Sequence, residues 1–158
     1  MKQFDFHANK LFLKVRKTPL IIRVIFFAFA FAFFILPIIS LIFSISNGNG
    51  LKFGHFIFMG AFGLMGFYLL RLSLWNTYGN EVIEISTNKI IYEADYGWFK
   101  DGKKEITNIE LNYSIKSIGY EEENKGVLVI GSNETKIESV VKIPIPQLEE
   151  LIEKLKEL

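Results

Sequence analysis

The residues that most often carry enzyme chemistry are scarce in this chain. There is no cysteine, and the two histidines, His7 and His55, lie on either side of the first of two long apolar segments. No thiolate site, histidine-based triad or zinc site can therefore be assembled after Asn76. The run Asn47 to Gly50 lacks the Lys-Ser/Thr that ends a phosphate-binding loop. The sequence predicts a protein that is not an enzyme, with no cofactor and no metal.

Carboxylates are plentiful, but their pattern indicates a solvated surface. Glu121, Glu122 and Glu123 are consecutive, which favours a charged turn over a metal site. From residue 76 to residue 158, sixteen Asp and Glu oppose ten Lys, a formal charge of about minus six. Because nucleic-acid binding needs a positive field that gathers phosphates, no nucleic-acid partner is predicted. The same charge argues against a phosphoinositide ligand.

One stretch in this acidic part combines aromatic and basic residues. Residues 97–104 contain the only Phe and the only Trp after Trp75, together with three lysines. Aromatic rings at headgroup depth with neighbouring lysines are typical of a membrane interface. The alternative is that the two aromatic residues belong to the core of a domain. The predicted membrane-interface residues here are Trp98, Phe99, Lys100, Lys103 and Lys104.

A membrane part must position these residues, because residues 24–75 contain two long apolar segments. Residues 24–46 are uncharged, and at ~1.5 Å per residue they are long enough to cross a hydrocarbon core of ~30 Å. Asn47 to Gly50 predicts a tight turn, since Asn and Gly readily adopt positive φ. The second segment runs from about Phe53 to Trp75. We interpret residues 24–75 as a two-helix transmembrane hairpin with the lipid bilayer as its partner.

Two features of the second segment suggest roles. Arg71 lies one helical turn before Trp75, where it can extend to the headgroups beside an interfacial ring, and this anchoring role is favoured over an ion pathway. Glycines three positions apart form a small-residue stripe against which the Phe-rich first helix can pack. These helix-packing residues are Gly60, Gly63 and Gly66. Packing within the chain is favoured over dimerisation, although homo-oligomerisation stays possible.

Residues 1–23 carry six Lys or Arg against one acidic residue, Asp5. Their apolar residues fall near helical spacing, which predicts a basic amphipathic helix on an anionic leaflet; the alternative is a solvated basic tail. Since the turn between the apolar segments has only Lys52, the positive-inside rule places the amino terminus in the cytoplasm. Two spans return the chain there. Both termini are therefore predicted to lie on the cytoplasmic side of the cytoplasmic (inner) membrane.

Residues 76–158 show the alternation and turns of a small β domain. Six strands are predicted, over residues 81–86, 89–96, 104–111, 115–120, 127–130 and 135–143, with turns or loops at 87–88, 97–103, 121–125 and 132–133. A final amphipathic helix has an apolar stripe that must cover a core, formed by Leu148, Leu151, Ile152 and Leu155. The predicted fold is a curved antiparallel sheet or open barrel capped by this helix.

The order of these parts resembles a known family. A two-helix hairpin, then Leu74-Trp75-Asn76 and the stretch from Gly79 to Ile85, leads into a small β domain closed by a helix. This arrangement resembles small, largely uncharacterised bacterial membrane proteins with a PH-like cytoplasmic domain. The resemblance implies a PH-like fold and provides no catalytic residues. Six strands are one fewer than a PH barrel has, which suggests that one strand is missing.

Two functions are consistent with this sequence. The first is a non-enzymatic membrane protein that presents an acidic PH-like domain at the cytoplasmic face as a protein-binding or scaffold module. Its partner would bind an exposed strand edge or a groove beside the last helix. The alternative is a ligand-gated effector whose β domain senses a small molecule and whose helices assemble to disrupt the membrane. A filled core favours the first function, and a deep pocket with converging polar groups favours the second.

Overall fold

A short β-hairpin, two long helices and a mainly β region follow one another along the chain in the computed structural model, which describes residues 2–107, 111–119, 123–131 and 135–157. The elements in chain order are β1 (Phe4–His7), β2 (Lys10–Lys14), α1 (Leu20–Ser46), α2 (Phe53–Tyr78), β3 (Asn80–Ile85), β4 (Lys89–Asp95), β5 (Lys100–Thr107), β6 (Asn112–Ser117), β7 (Lys125–Gly131), β8 (Lys136–Glu138), β9 (Ile143–Pro144) and α3 (Ile145–Lys156).

The chain divides into two compact units. One contains the residues up to Arg16 together with those from Tyr78 onward, and we call it the β unit. The other is Lys17–Thr77, which contains most of the two long helices and which we call the helical unit. The helical unit is therefore an insertion between β2 and β3 of the β unit.

The predicted amphipathic helix within residues 1–23 is wrong, and so is the solvated tail. β1 and β2 form a hairpin, and β2 pairs antiparallel with β3, placing Leu11 opposite Ile83. Leu11 and Leu13 are fully buried and Phe4 nearly so. The residues that face the core in β2 are two positions apart, which is strand spacing, and the strand that pairs with β2 lies about 70 residues later in the chain.

The β unit contains two antiparallel sheets and a closing helix. The first sheet has the order β1-β2-β3-β4-β5, and the second has the order β6-β7-β8 with β9 paired to β7. Helix α3 packs on β6, β7 and β9. The predicted class of two apolar helices followed by a mainly β domain with a terminal helix is confirmed. The described residues form nine strands where six were predicted, and the amino-terminal hairpin supplies two of them.

Several strand boundaries differ from the prediction. β5 begins at Lys100, so the predicted loop over residues 97–103 shrinks to the residues between β4 and β5. β6 begins at Asn112, three residues before the predicted start. The predicted strand over 135–143 is two short strands, β8 and β9. The predicted turn at 132–133, Glu121 and Glu122 of the predicted charged turn, and the end of the predicted strand 104–111 lie outside the described residues.

The two long helices have the length and composition to cross a membrane. α1 has 27 residues and α2 has 26, and only 11% and 17% of their most apolar stretches are buried. Helices that formed the core of a water-soluble protein would be largely buried. The turn between them contains Gly48 and Gly50 at φ of 73° and 64°, which confirms the predicted positive-φ turn.

The predicted glycine stripe is only partly used in packing against α1. At Gly66, the position that a Cβ would occupy lies 3.1 Å from the Phe34 ring, so a larger residue would push against α1. At Gly60 and Gly63, none of the described residues lies within 4 Å of that position. Among the three glycines, only Gly66 therefore gives close packing against α1.

Candidate functional site

The five-stranded sheet has two ends that differ in what they carry. At one end Lys14, Asn80, Asp95 and Lys100 are successive cross-strand partners, and there β2 leads toward α1 while β3 follows α2. We call this the helix-proximal end. The opposite end, which we call the far end, carries the β1–β2 turn and the β3–β4 turn. The sheet therefore separates the connections to the helices from these two turns.

A cleft of about 740 Å³ lies at the far end of the sheet. Its walls come from the β1–β2 turn, the β3–β4 turn, the start of β6 and the end of α3. Its volume falls within the ~300–1,000 Å³ of typical small-ligand sites. The described lining residues are Phe6, Ala8, Asn9, Ile85, Ser86, Thr87, Leu111, Asn112, Tyr113, Leu155 and Lys156.

The described residues that line this cleft are largely polar, and none of them is acidic. It contains two amides, two aliphatic hydroxyls and one phenol, with Lys156 as the charged group among the described lining residues. Burial raises the pKa of Tyr113, so its phenol stays a neutral O–H group. Phe6, Ile85 and Leu155 supply apolar surface. The arrangement suits a neutral ligand with hydrogen-bonding groups and an apolar part.

Backbone strain lies at the edge of the cleft. Ala8 has φ of 52°, a left-handed conformation that is uncommon for residues other than glycine. It occupies a two-residue turn, because His7 and Lys10 are cross-strand partners. The cleft was not predicted from the sequence, since three of its lining residues precede α1 and lie in a segment that was assigned to a helix. The alternation of Leu11 and Leu13 was the available signal for this hairpin.

A buried carboxylate connects the two sheets of the β unit. Glu81 on β3 is fully buried and accepts hydrogen bonds from the backbone N–H groups of Val140 and Val141, at 2.5 and 3.2 Å. The Tyr92 hydroxyl on β4 donates a third, at 2.5 Å. Val140 and Val141 lie between β8 and β9 of the second sheet. Glu81 therefore satisfies two backbone donors that no strand partner reaches, which makes it a structural link.

Burial dominates the electrostatics of this link. Desolvation raises the pKa of Glu81, although hydrogen bonds from Tyr92, Val140 and Val141 oppose the shift. Burial, followed by the nearby Glu81 charge, raises the pKa of Tyr92. Tyr92 therefore stays protonated and can donate to the carboxylate. Glu81 is absent from the lining of the cleft.

The helix-proximal end carries the aromatic residues of the predicted membrane interface. Trp98 is 62% exposed, whereas Phe99 is half-buried and stacks on Tyr96 with ring centres 4.8 Å apart. Gly97 has φ of 85°, and a Cβ there would lie 2.8 Å from the Cβ of Tyr78, the last residue of α2. The loop before β5 therefore packs against the point where the chain leaves α2.

The structure does not bring the three predicted lysines to one surface of this loop. Lys100 forms an ion pair with Glu93 at 3.3 Å. The Nζ atom of Lys104 lies 5.8 Å from the centre of the Tyr92 ring. All three lysines belong to β5, and Lys103 is exposed on that strand. On α2, Arg71 and Trp75 lie one turn apart and are both half-buried.

The remaining predicted positions lie within the β unit. Leu148, Leu151, Ile152 and Leu155 of α3 are all buried. With the amino-terminal hairpin included, the β unit has seventeen Asp and Glu against fourteen Lys and Arg, a formal charge of about minus three. The unit is therefore less acidic than residues 76–158 alone. Among the described residues, no group of three or more His, Asp or Glu is placed to hold a metal ion.

Comparison with known proteins adds no relative to this description. No protein-family model, no curated protein and no solved structure matches the chain.

Proposed function

We propose that this chain is a two-span protein of the cytoplasmic membrane whose β unit is a non-enzymatic binding module at the cytoplasmic face. The observation that carries the proposal is the insertion of two long apolar helices between β2 and β3. These two strands are hydrogen-bonded neighbours in one sheet. A hairpin anchor inserted in this way holds the domain by two chain segments. The overall architecture is in keeping with the PH-like membrane proteins that the sequence resembles.

The helices support membrane insertion through their length and exposure. At ~1.5 Å per residue, 27 and 26 residues extend for ~40 Å, which exceeds a ~30 Å hydrocarbon core. Large apolar side chains are exposed along both helices, for example Ile39 at 54% and Phe67 at 50%. Apolar surface of this extent is unfavourable in water and favourable in lipid.

The sheet restricts the topology that such an insertion can have. β2 precedes the helices and β3 follows them, yet the two strands are hydrogen-bonded neighbours. Both must lie on the same side of a membrane, which requires an even number of spans. The helical unit has Lys17, Arg23 and Arg71 toward this side and Lys52 in the turn. This asymmetry favours a cytoplasmic β unit by the positive-inside rule.

Alkaline phosphatase fusions test this topology, because the enzyme becomes active only after export. A fusion to the carboxy terminus should be inactive, whereas a fusion inserted in the Asn47 to Gly50 turn should be active. Immunoblots that show equal amounts of both fusions provide the control. Active enzyme at the carboxy terminus and inactive enzyme in the turn would overturn the cytoplasmic placement.

The cleft supports the binding role of the β unit. Its hydroxyl and amide side chains match the hydrogen-bonding groups of a peptide backbone, and its apolar walls suit the side chains of a peptide. It also adjoins both features proposed for partner binding, since Asn112 begins the exposed strand β6 and Leu155 belongs to the last helix. We therefore propose an extended segment of a protein partner as its ligand.

Site-specific photo-crosslinking tests this placement in living cells. A photoreactive residue at Asn112 should crosslink a discrete partner, whereas the same residue at Ser117, at the other end of β6 and also exposed, should crosslink it weakly or not at all. Filling the cleft by the second change Ala8→Trp should abolish the Asn112 product. Equal crosslinking from both positions would contradict a site in the cleft.

The ligand-gated effector remains a second candidate, and the size of the cleft is the observation that favours it. The core beside the cleft is filled, since Leu11, Ile83, Ile130 and Leu148 are at most 1% exposed. The cleft therefore lies at one end of the unit, where either a peptide segment or a small molecule can enter. Crosslinks from Asn112 to a protein favour the binding module. Release of dye from vesicles that contain the purified chain, triggered by a small-molecule extract, would favour the effector.

A further inference from the structure

Two exposed aromatic residues lie at the helix-proximal end of the β unit. Trp98 is 62% exposed and Tyr78 is 51% exposed, while the neighbouring rings of Tyr96 and Phe99 are stacked on each other. Exposed Trp is uncommon on the surface of a domain whose other large apolar residues are mostly buried. Trp98 therefore needs an explanation beyond core packing.

The position of the loop is fixed relative to the end of α2. Gly97 lies against the Tyr78 side chain, so close that a Cβ would stand 3.0 Å from the Cγ of Tyr78. The Gly97 amide donates to the Asp95 carboxylate at 2.7 Å, and the Tyr96 amide donates to the Phe99 carbonyl at 2.9 Å. The loop that carries Trp98 is thus a tight turn, held at the residue where the apolar helix ends.

We propose that Trp98 and Tyr78 form an aromatic surface that rests in the headgroup layer of the membrane. The inference relies on the proposed membrane hairpin, because α2 then brings Tyr78 to the lipid–water boundary. Tyr and Trp favour this boundary, since their rings prefer the acyl region and their polar atoms prefer water. The surface fits lipid headgroups in general and requires no particular lipid.

Lipid charge contributes little to this contact, although three of the predicted membrane-interface residues of this loop are lysines. The stretch from Glu93 to Lys104 carries three acidic and three basic residues, so its formal charge is zero. Lys100 is already paired with Glu93. A loop with no net charge gains no net electrostatic attraction from an anionic leaflet.

Both chain connections to the helical unit lie at the helix-proximal end of the sheet. Only Gly79 separates α2 from β3, and the Val15 amide donates to the Gly79 carbonyl at 3.2 Å, which extends the pairing of β2 with β3. The helix-proximal end is therefore tied at two adjacent points.

Tryptophan fluorescence in the full-length chain tests the proposal. Trp75→Phe leaves Trp98 as the sole Trp in the chain. In lipid nanodiscs we expect lipids brominated near the headgroup to quench Trp98 roughly twofold more strongly than a Trp at the far end, and aqueous iodide to quench it correspondingly less. Replacing neutral lipid by anionic lipid, or adding salt, should leave the quenching by brominated lipid unchanged.

Two matched single-Trp variants complete this experiment. The far-end control places Trp at the exposed Asn88 of the β3–β4 turn, in a chain with Trp75→Phe and Trp98→Phe. The membrane control places Trp at Ile39 of α1 in the same background. Equal iodide quenching at 98 and 88, with Ile39 protected, would overturn the headgroup contact and leave the membrane hairpin intact. Iodide access at Ile39 would overturn both proposals.

A second measurement avoids any change to the two native Trp residues. Because the chain has no cysteine, a nitroxide can be attached at Lys100→Cys or at Asn88→Cys alone. We expect the label at position 100 to be less accessible to a water-soluble nickel chelate than the label at position 88. If the labels at positions 100 and 88 are equally accessible to the chelate, in neutral as well as in anionic nanodiscs, the proposed surface is contradicted. A difference seen only in anionic lipid would replace the aromatic contact by an electrostatic one.

Discussion

At the scale of single residues, Glu81 shows most directly how sequence position and chemistry combine. The alternation from Glu81 to Ser86 predicts a strand, and the structure places one over Asn80–Ile85. Nothing in the sequence reveals that this carboxylate is buried, since its partners lie 11, 59 and 60 residues away. Its role is set by the packing of the second sheet against the first, which no local pattern encodes.

Glu81→Gln should change the pH dependence of stability. Because the pKa of Glu81 is raised in the folded state, the folded chain holds its proton more tightly than the unfolded chain, and the stability from this residue falls as pH rises through that pKa. The Gln variant lacks this loss. Its melting temperature relative to the native chain should therefore rise as pH increases, in thermal unfolding followed in mild detergent.

Glu150→Gln is a matched control with the opposite sign. Hydrogen bonds from Lys2 and Lys154 lower the pKa of Glu150, so its contribution is present at neutral pH and is lost as pH falls. Glu81→Ala should lower the free energy of unfolding, because it leaves two backbone N–H groups unpaired at a cost of ~1–3 kcal/mol each. A Glu81→Gln variant whose relative stability is independent of pH would contradict the burial assigned to Glu81.

At the scale of elements, the helices were more predictable than the sheet. α1 and α2 follow from apolar runs longer than 20 residues, and α3 follows from an apolar stripe at helical spacing, because these patterns lie within one segment. The amino-terminal hairpin was missed, since Phe4, Ala8, Leu11 and Val15 also fit helical spacing. Pairing with β3 selects the strand pattern over the helical one. Because β3 follows two long helices in the chain, this pairing is not visible in the local sequence.

The cleft was unpredictable for the same reason. Its walls come from four separate parts of the chain, and one of them is the turn at Ala8, which requires a left-handed backbone at a residue other than glycine. The loop at Trp98 was more accessible to sequence reasoning, because the directions of β3 and β4 return the chain to the helix-proximal end. The positions of the lysines in this loop and in β5 could not be predicted in the same way, because strand register and ion pairing decide where they lie.

At the scale of the whole molecule, the chain is a β unit interrupted by an apolar hairpin. The amino-terminal segment, predicted as a separate basic region, contributes strands to the same sheet as residues that follow the helices. A fragment that begins after the second helix therefore lacks part of its core. The lost residues include Phe4, Leu11 and Leu13, whose burial is worth ~1.5–3 kcal/mol each as an upper estimate.

This architecture predicts that the helical unit can be removed without unfolding the β unit. Lys14 and Asn80 are cross-strand partners, and Val15 is hydrogen-bonded to Gly79, so a short turn can join β2 to β3. The polypeptide to test joins residues 1–16 to residues 78–158 through a short Gly- and Asn-containing turn. A matched control contains residues 78–158 alone.

The most direct test of the interrupted domain is the thermal unfolding of these two polypeptides in water without detergent. The joined polypeptide should be soluble and melt cooperatively, whereas residues 78–158 alone should lack a cooperative transition, because the lost burial is comparable to the ~5–15 kcal/mol stability of a small domain. Equal melting temperatures for the two would show that the amino-terminal hairpin is not part of the fold. Failure of the joined polypeptide to fold would equally contradict an autonomous β unit completed across the apolar helices.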